Sequence, residues 1–395
     1  MRKKWFYSFI ILFVPPHGGL SKRILFSHVI AASEPEMTWL EMRHRRKLDS
    51  CVALLKGMGS IMQKLTHANF IKARNFVFKH SDDINQAWFR YNFENENTAE
   101  FMEALAKYQR EDGGFGGLVY EFDYQGSCLV STEMAFRYIF FLKEKPAASH
   151  PVIQNAIKYL LSRYRPDIGC WGEECEPEVN DGVHVGWMGY TPNSYPPIAD
   201  VDERIKKYRP NRQATFAAFI ALYSEIVPEE IYNDIIFYPI EKILHYYDQN
   251  SPLFRKSTTD DHFESDIDVP YNLCCYQLFV QCLKDKTQAE KLAKILRQNP
   301  TACMELNKNN WVNEYEDLPC FVVKAPDSCV YPAVKDLVDE SLDYLIRQQS
   351  EGGAWHLYYS WGENEAFRKM EKSYEAHMTM LFLAKLKRFG RIEYS

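Results

Sequence analysis

Past residue 66, apolar residues recur at three- and four-residue spacing along most of the chain, a period that predicts helices. Residues 97–109 carry Phe101, Met102, Leu105 and Tyr108 on one stripe behind Asn97, whose short amide side chain suits an N-cap. Residues 131–143 are apolar almost all round, as an inner helix buried on both sides would be. Pro151 fits the first turn of a helix reaching Tyr164, and Asn211 fits the cap of one through Tyr223. The same period covers 229–247, 270–284, 287–298, 333–349 and 372–389, the last closed by Gly390. No alternating run competes as a strand, so the predicted fold class is all-α. The stretches 165–210, 248–269 and 300–332 are rich in Pro, Gly, Asp and Asn, and connections of that length in a compact domain are usually functional or disordered.

A longer repeat overlies the helical one. YQREDGGFGG (108–117), RYRPDIGCWGEE (163–174) and IRQQSEGGAWHLYYSWGE (346–363) each leave a helix end through a polar turn into glycine and then an aromatic. Glycine past a helix permits a left-handed cap, and the aromatic folds back as a wedge between helices. The first two copies lie 56 residues apart and the last a further 184, leaving room for about three degenerate units in a helical array. The segments KYQREDGGFG, EPEVNDGVHVGWM, DVPYNLCCYQLF, YLIRQQSEGGAW and KRFGRIE fall in an order that resembles the QW-type repeat of squalene-cyclase and protein-prenyltransferase relatives. The likeness is closest to bacterial squalene-cyclase-like and prenyltransferase-like proteins and covers roughly residues 67–395. It implies a single α/α toroid, a ring of helical hairpins with long loops over one end, and a central funnel for an isoprenoid or other apolar ligand.

Length and composition agree with one large domain: 395 residues, 46% hydrophobic and 15% aromatic, supply a sizeable core. The formal charge of −6 hides an asymmetry, because residues 1–66 hold eleven Lys/Arg against four Asp/Glu and residues 67–395 stand at −13. An acidic body argues against nucleic acid as a main partner. The basic extension begins with Met1–Lys4 and the apolar run Trp5–Val14, a signal-like start too short to span a bilayer. Pro15-Pro16 and Lys22-Arg23 interrupt it, and the small residues Ala31-Ala32-Ser33 lie too far away to serve as its cleavage site. An alternative is translation from Met58 or Met62. The expected compartment is cytoplasmic, with export and peripheral membrane contact left open by the extension. Ten cysteines, with Cys274-Cys275 and Cys282 along one apolar helix pattern, read as buried free thiols rather than a disulfide framework.

Candidate chemistry concentrates in the loop EPEVNDGVHVGWMGYTPNSYPP. The resemblance carries over to Asn180, Asp181, His184 and Trp187, although Met188 stands where a second aromatic is expected and Gly182-Val183 loosen the spacer. Asp181 and His184 suit an oriented acid–base pair; the alternative is that they tie the loop together by hydrogen bonds. Glu121 and Asp123 follow the first glycine turn. Convergence of Glu121, Asp123, Asp181 and His184 would suit protonation of an alkene or a glycosidic oxygen, while the alternative has the carboxylates bonding helix-end amides. DVDE at 200–203 resembles a class II cyclase acid but ends in Glu, and Asp260, Asp261, Glu264, Asp266 and Asp268 precede Pro270 rather than share a helix face. Asp266 with Cys274 or Cys275 and His377 is a weak zinc trio. No phosphate-binding loop, dinucleotide fingerprint, HExxH or paired CxxC is present, so no cofactor or metal is predicted. The funnel aromatics include Phe136, Tyr138, Phe140, Phe141, Trp355 and Tyr358, with Trp355 and Tyr358 offered as ligand contacts. Three functions follow: an isoprenoid-handling enzyme or binder of an apolar or amphipathic small molecule, a carbohydrate-active hydrolase or lyase, and a non-catalytic scaffold.

Overall fold

Thr66 accepts a hydrogen bond from the Asn69 amide and starts α1 (His67–His80); Asp82 accepts from the Asn85 amide and starts α2 (Asp83–Arg90). Asn97 caps α3 (Thr98–Ala106) through the Glu100 amide, as its position before the apolar stripe predicts. There follow α4 (Leu129–Phe140), α5 (Pro151–Arg163), α6 (Pro210–Leu222), α7 (Glu229–Glu241) and α8 (Val269–Cys282). The chain ends with α9 (Lys286–Leu296), the single turn α10 (Pro319–Val322), α11 (Tyr331–Arg347) and α12 (Glu365–Arg388). This computed structural model describes residues 62–394 except 173–174, 186–187, 191–209, 247–268 and 313–317. Residues 62–395 form one compact unit.

Every helix expected from the apolar period is present, with ends shifted by a few residues. The largest shift is at α12, which starts at Glu365 rather than 372 because Asn364 accepts from the Phe367 amide and caps a polar first turn. Glu229–Glu241, which carries Pro239 inside it, runs on into a π turn at Lys242–Tyr246. The described strands are two-residue pieces, Tyr164–Arg165 paired antiparallel with Cys170–Trp171 around the second glycine turn. That pairing is too short to leave an alternating signal.

The repeat is a structural unit with reproducible bonding. In the first copy Gln109 Nε2 donates to the Gly113 carbonyl (2.9 Å) and to the Val152 carbonyl of α5 (2.9 Å). In the third, Gln349 Nε2 donates to the Gly353 carbonyl (2.9 Å) and to the Asn69 carbonyl of α1 (3.1 Å). The aromatic amide of these two copies is also satisfied alike, Phe115 N donating to Thr132 Oγ1 and Trp355 N to Thr379 Oγ1, whereas in the second copy Trp171 N donates to Gln213 Oε1. Gly113 and Gly353 have φ of 92° and 93°, and a Cβ on either would lie 2.2 Å from the Asn155 oxygen or 2.4 Å from the Lys72 carbonyl carbon. Only glycine permits both the left-handed turn and that approach to the next helix. Trp171 and Trp355 are the wedges, their indole N–H groups donating to the Leu160 and Leu345 carbonyls.

The third turn therefore docks on α1. Beside it α12 packs along α1, Leu65 exchanges backbone hydrogen bonds with Arg391 and Glu393, and the buried Arg391 donates to the Gln63 carbonyl (2.7 Å) and pairs with Asp343. The last element is thus fastened to the first. Other neighbours follow chain order: α6 packs on α7 and α8, α8 on α9 and α10, and α10 on α11. No described helix is long and apolar enough to cross a membrane, and the nine described cysteines are free thiols.

Candidate functional site

The two loop segments named for chemistry do meet. Asp123 N donates to the Val183 carbonyl (3.0 Å) and Val185 N to the Glu121 carbonyl (2.9 Å), so 121–123 and 183–185 form a short antiparallel bridge. Their side chains part company. Asp181 ends a 3-10 turn (Pro177–Asp181) and is exposed, as is Asp123, whereas Glu121 is half-buried. His184 Nδ1 lies 3.1 Å from its neighbour's carbonyl, that of Val185, rather than on Asp181. Asn180 donates to the Tyr190 carbonyl (3.0 Å) and accepts from the Tyr190 amide (2.8 Å), a clasp across the loop. Trp187, the 200–203 string and the 258–268 string lie outside the described residues. Trp355 is 1% exposed and packed on Phe382, and Tyr358 is at the surface, so neither borders the cavity described next.

A cavity of about 1010 Å³ opens between α4, α6, α8, α9, the segment after α10, and α12. Of the predicted site residues that are described, Glu121 alone reaches it. Of the predicted funnel aromatics, Tyr138, Phe140 and Phe141 line it, while others pack between helices, Phe136 stacking on Phe219 at 3.6 Å between ring centres. Sequence reasoning expected carboxylates around the funnel. The wall instead carries eight Lys and Arg side chains against four carboxylates, on a body whose overall charge is negative.

These cations are not equivalent. Arg137 and Arg212 share the buried Glu133 at 2.8 and 3.0 Å. Burial alone would raise the Glu133 pKa, but the two guanidiniums outweigh it and hold the carboxyl below its usual range. At the far end of α12, Lys385 donates to the Cys320 carbonyl and lies 4.7 Å from the Phe321 ring centre. Burial, helped by Lys324, pulls its pKa down to about 7. Arg388 stacks on Phe141 at 4.1 Å, and its Nε is sealed from solvent without a hydrogen-bond partner. Burial lowers its pKa to about 10, against the attraction of Asp327 and Cys274. Cys274 is the one cavity thiol pushed down, because Cys275 donates to it and Lys324, Arg137 and Lys385 favour its anion over the opposing effect of burial.

The opposite stretch of wall holds a connected polar chain. Asp82 Oδ1 accepts from Asn85 Nδ2 (2.8 Å), Asp82 Oδ2 accepts from the Tyr120 hydroxyl (2.7 Å), and Asn85 Oδ1 lies 2.9 Å from His377 Nδ1. His377 and Tyr120 stack at 4.8 Å and both border the cavity. Burial, then Arg137, lowers the His377 pKa to about 3, so the ring is neutral. Asp266 of the zinc trio proposed from sequence lies outside the described residues, and among the described residues no group of three His, Cys, Asp or Glu is placed to hold a metal. Sequence reasoning missed Lys385, Arg388 and Asn85 altogether. No family model, curated protein or solved structure matches the chain.

Proposed function

We propose that the chain is an α/α-toroid protein that holds an amphipathic anion, of the isoprenoid-diphosphate type, in its central cavity. One observation carries the reading: Lys324, Lys385 and Arg388 crowd one end of a largely apolar cavity, and Arg388 Nε has no partner there. Like charges brought together out of water are unfavourable, and an anionic group in their midst offsets that. Phe140, Phe141 and Leu278 supply the apolar surface for a chain attached to the anion. The toroid itself is supported by the third glycine turn, which docks on α1 as the first docks on α5, and by the fastening of α12 to α1. The resemblance to squalene-cyclase and prenyltransferase relatives agrees with both parts. A carbohydrate-active site would want two available carboxyl groups across a polar cleft, whereas of the cavity carboxylates Glu133 is engaged by two arginines, Glu290 by Arg297 and Asp327 by Gln281.

The test is a thermal-shift series on the full chain with farnesyl diphosphate, farnesol, squalene and cello-oligosaccharides. The diphosphate should stabilise most, by several degrees at saturating concentration, and farnesol less. Stabilisation by oligosaccharides alone, or by squalene and farnesol as strongly as by the diphosphate, would remove the anion from the account.

A further inference from the structure

We propose that the cavity takes a two-headed ligand: an anionic group held at Lys385 and Arg388, and a hydroxyl or other hydrogen-bond donor at the opposite end, accepted by His377 Nε2. This rests on the anion-binding reading above and adds the chemistry of the ligand's other end. Both ends lie on one helix. His377, Leu381, Ala384 and Arg388 follow four-, three- and four-residue steps along α12 and line the same cavity. Eleven residues of helix separate His377 from Arg388, a span of about 16 Å. Met378, Leu381 and Ala384 occupy the face between them, so along α12 the span runs over apolar side chains and suits hydrocarbon.

The direction of the hydrogen bond at His377 follows from Asn85. Asn85 is fully buried, and its side-chain amide donates to Asp82 Oδ1 and to the Tyr120 hydroxyl. Turning the amide over would set its oxygen against the Asp82 carboxylate, acceptor against acceptor, so the atom facing His377 is the oxygen. An amide oxygen only accepts; the proton of the neutral imidazole therefore sits on Nδ1, and Nε2 carries a lone pair. Nε2 has no hydrogen-bond partner among the described residues, and the ring, 2% exposed, borders the cavity. A ring stacked on Tyr120, with its tautomer set through two further residues, is a positioned acceptor. A ligand that ended in plain hydrocarbon would leave that lone pair dry and unmatched. The class indicated is a long apolar chain with an acidic head and a hydroxyl near its far terminus.

Titration calorimetry of the full chain with dodecyl phosphate and ω-hydroxydodecyl phosphate tests this. The hydroxylated compound should bind roughly five- to tenfold tighter to the unaltered protein, and the two should bind alike to His377→Phe. Equal binding of both to the unaltered protein overturns the inference and leaves the anion site standing; binding of neither overturns both. Because His377→Phe also strands the Asn85 oxygen, nitrogen NMR of His377 in the unaltered chain provides a measurement free of any variant. It should report an Nδ1-protonated ring with a bare Nε2 whose resonance moves with ω-hydroxydodecyl phosphate and not with dodecyl phosphate. An Nε2-protonated ring, or an Nε2 signal indifferent to both compounds, contradicts the proposal.

Discussion

Lys385 is placed at a cost to the empty protein. Its pKa falls from 10.5 to about 7, so between those values the unfolded chain binds the extra proton. The unfavourable contribution is therefore full below about pH 7 and fades as pH rises toward 10.5. Lys385→Met should stabilise the empty chain at neutral pH by about 1–3 kcal/mol in denaturant melts, yet weaken anion binding tenfold or more in titrations. A variant that loses stability and keeps its affinity would assign Lys385 to the fold alone. An anion beside Lys385 would raise its pKa, and Lys324, Arg388, Cys274 and Cys320 face the same amine. Affinity should accordingly fall as pH rises through about 7, where the empty-state amine loses its proton. Cys274 offers a second reading of the same end. It should alkylate with iodoacetamide before Cys128, Cys175, Cys282, Cys320 or Cys329, whose thiols burial pushes up, and the anion should protect it. Peptide mass spectrometry reads both effects. None of this was legible as a site, since Lys385 and Arg388 occupy the last turn of a helix, where cations are ordinary partners of the helix dipole. Asp181 and His184 read as a pair through their nearness in sequence, but His184 Nδ1 faces the Val185 carbonyl and Asp181 is exposed.

At the scale of elements, sequence was a better guide. Asn97, Pro151 and Gly390 mark helix ends where they were expected, because capping chemistry is local. α1 and α2 were not placed, and α1 explains why: its apolar residues are spread round the helix, with Ile71 exposed and Phe76 and Phe78 half-buried, so the buried stripe of Phe70, Ala73 and Val77 does not stand out. The glycine turns show what a repeat conceals as well as what it announces. Gly352 and Gly353 are adjacent and look interchangeable in sequence. A Cβ on Gly352 would meet nothing nearer than 3.9 Å, whereas Gly353 combines φ of 93° with a 2.4 Å approach to α1. Gly353→Ala should cost ~2–4 kcal/mol in urea melts and Gly352→Ala less than about 0.5 kcal/mol. Equal costs would mean that the turn is not wedged against α1.

At the scale of the molecule, repetition in sequence foretold a helical array, and the helices and turns agree in kind with that expectation. What repetition left hidden is the sign of the interior. An acidic body with a cation-lined cavity requires that lysines and arginines on inner helix faces be told from those on outer faces, and the 3.6-residue period marks both alike. The central claim is that this interior charge is there for an anion carried on an apolar chain. Its most direct test is titration calorimetry of the full chain with farnesyl diphosphate and farnesol, repeated on Arg388→Met. The diphosphate should bind at least tenfold tighter than the alcohol to the unaltered protein, and Arg388→Met should erase most of that difference. Equal affinity for the two compounds, or a preference untouched by Arg388→Met, would contradict the account.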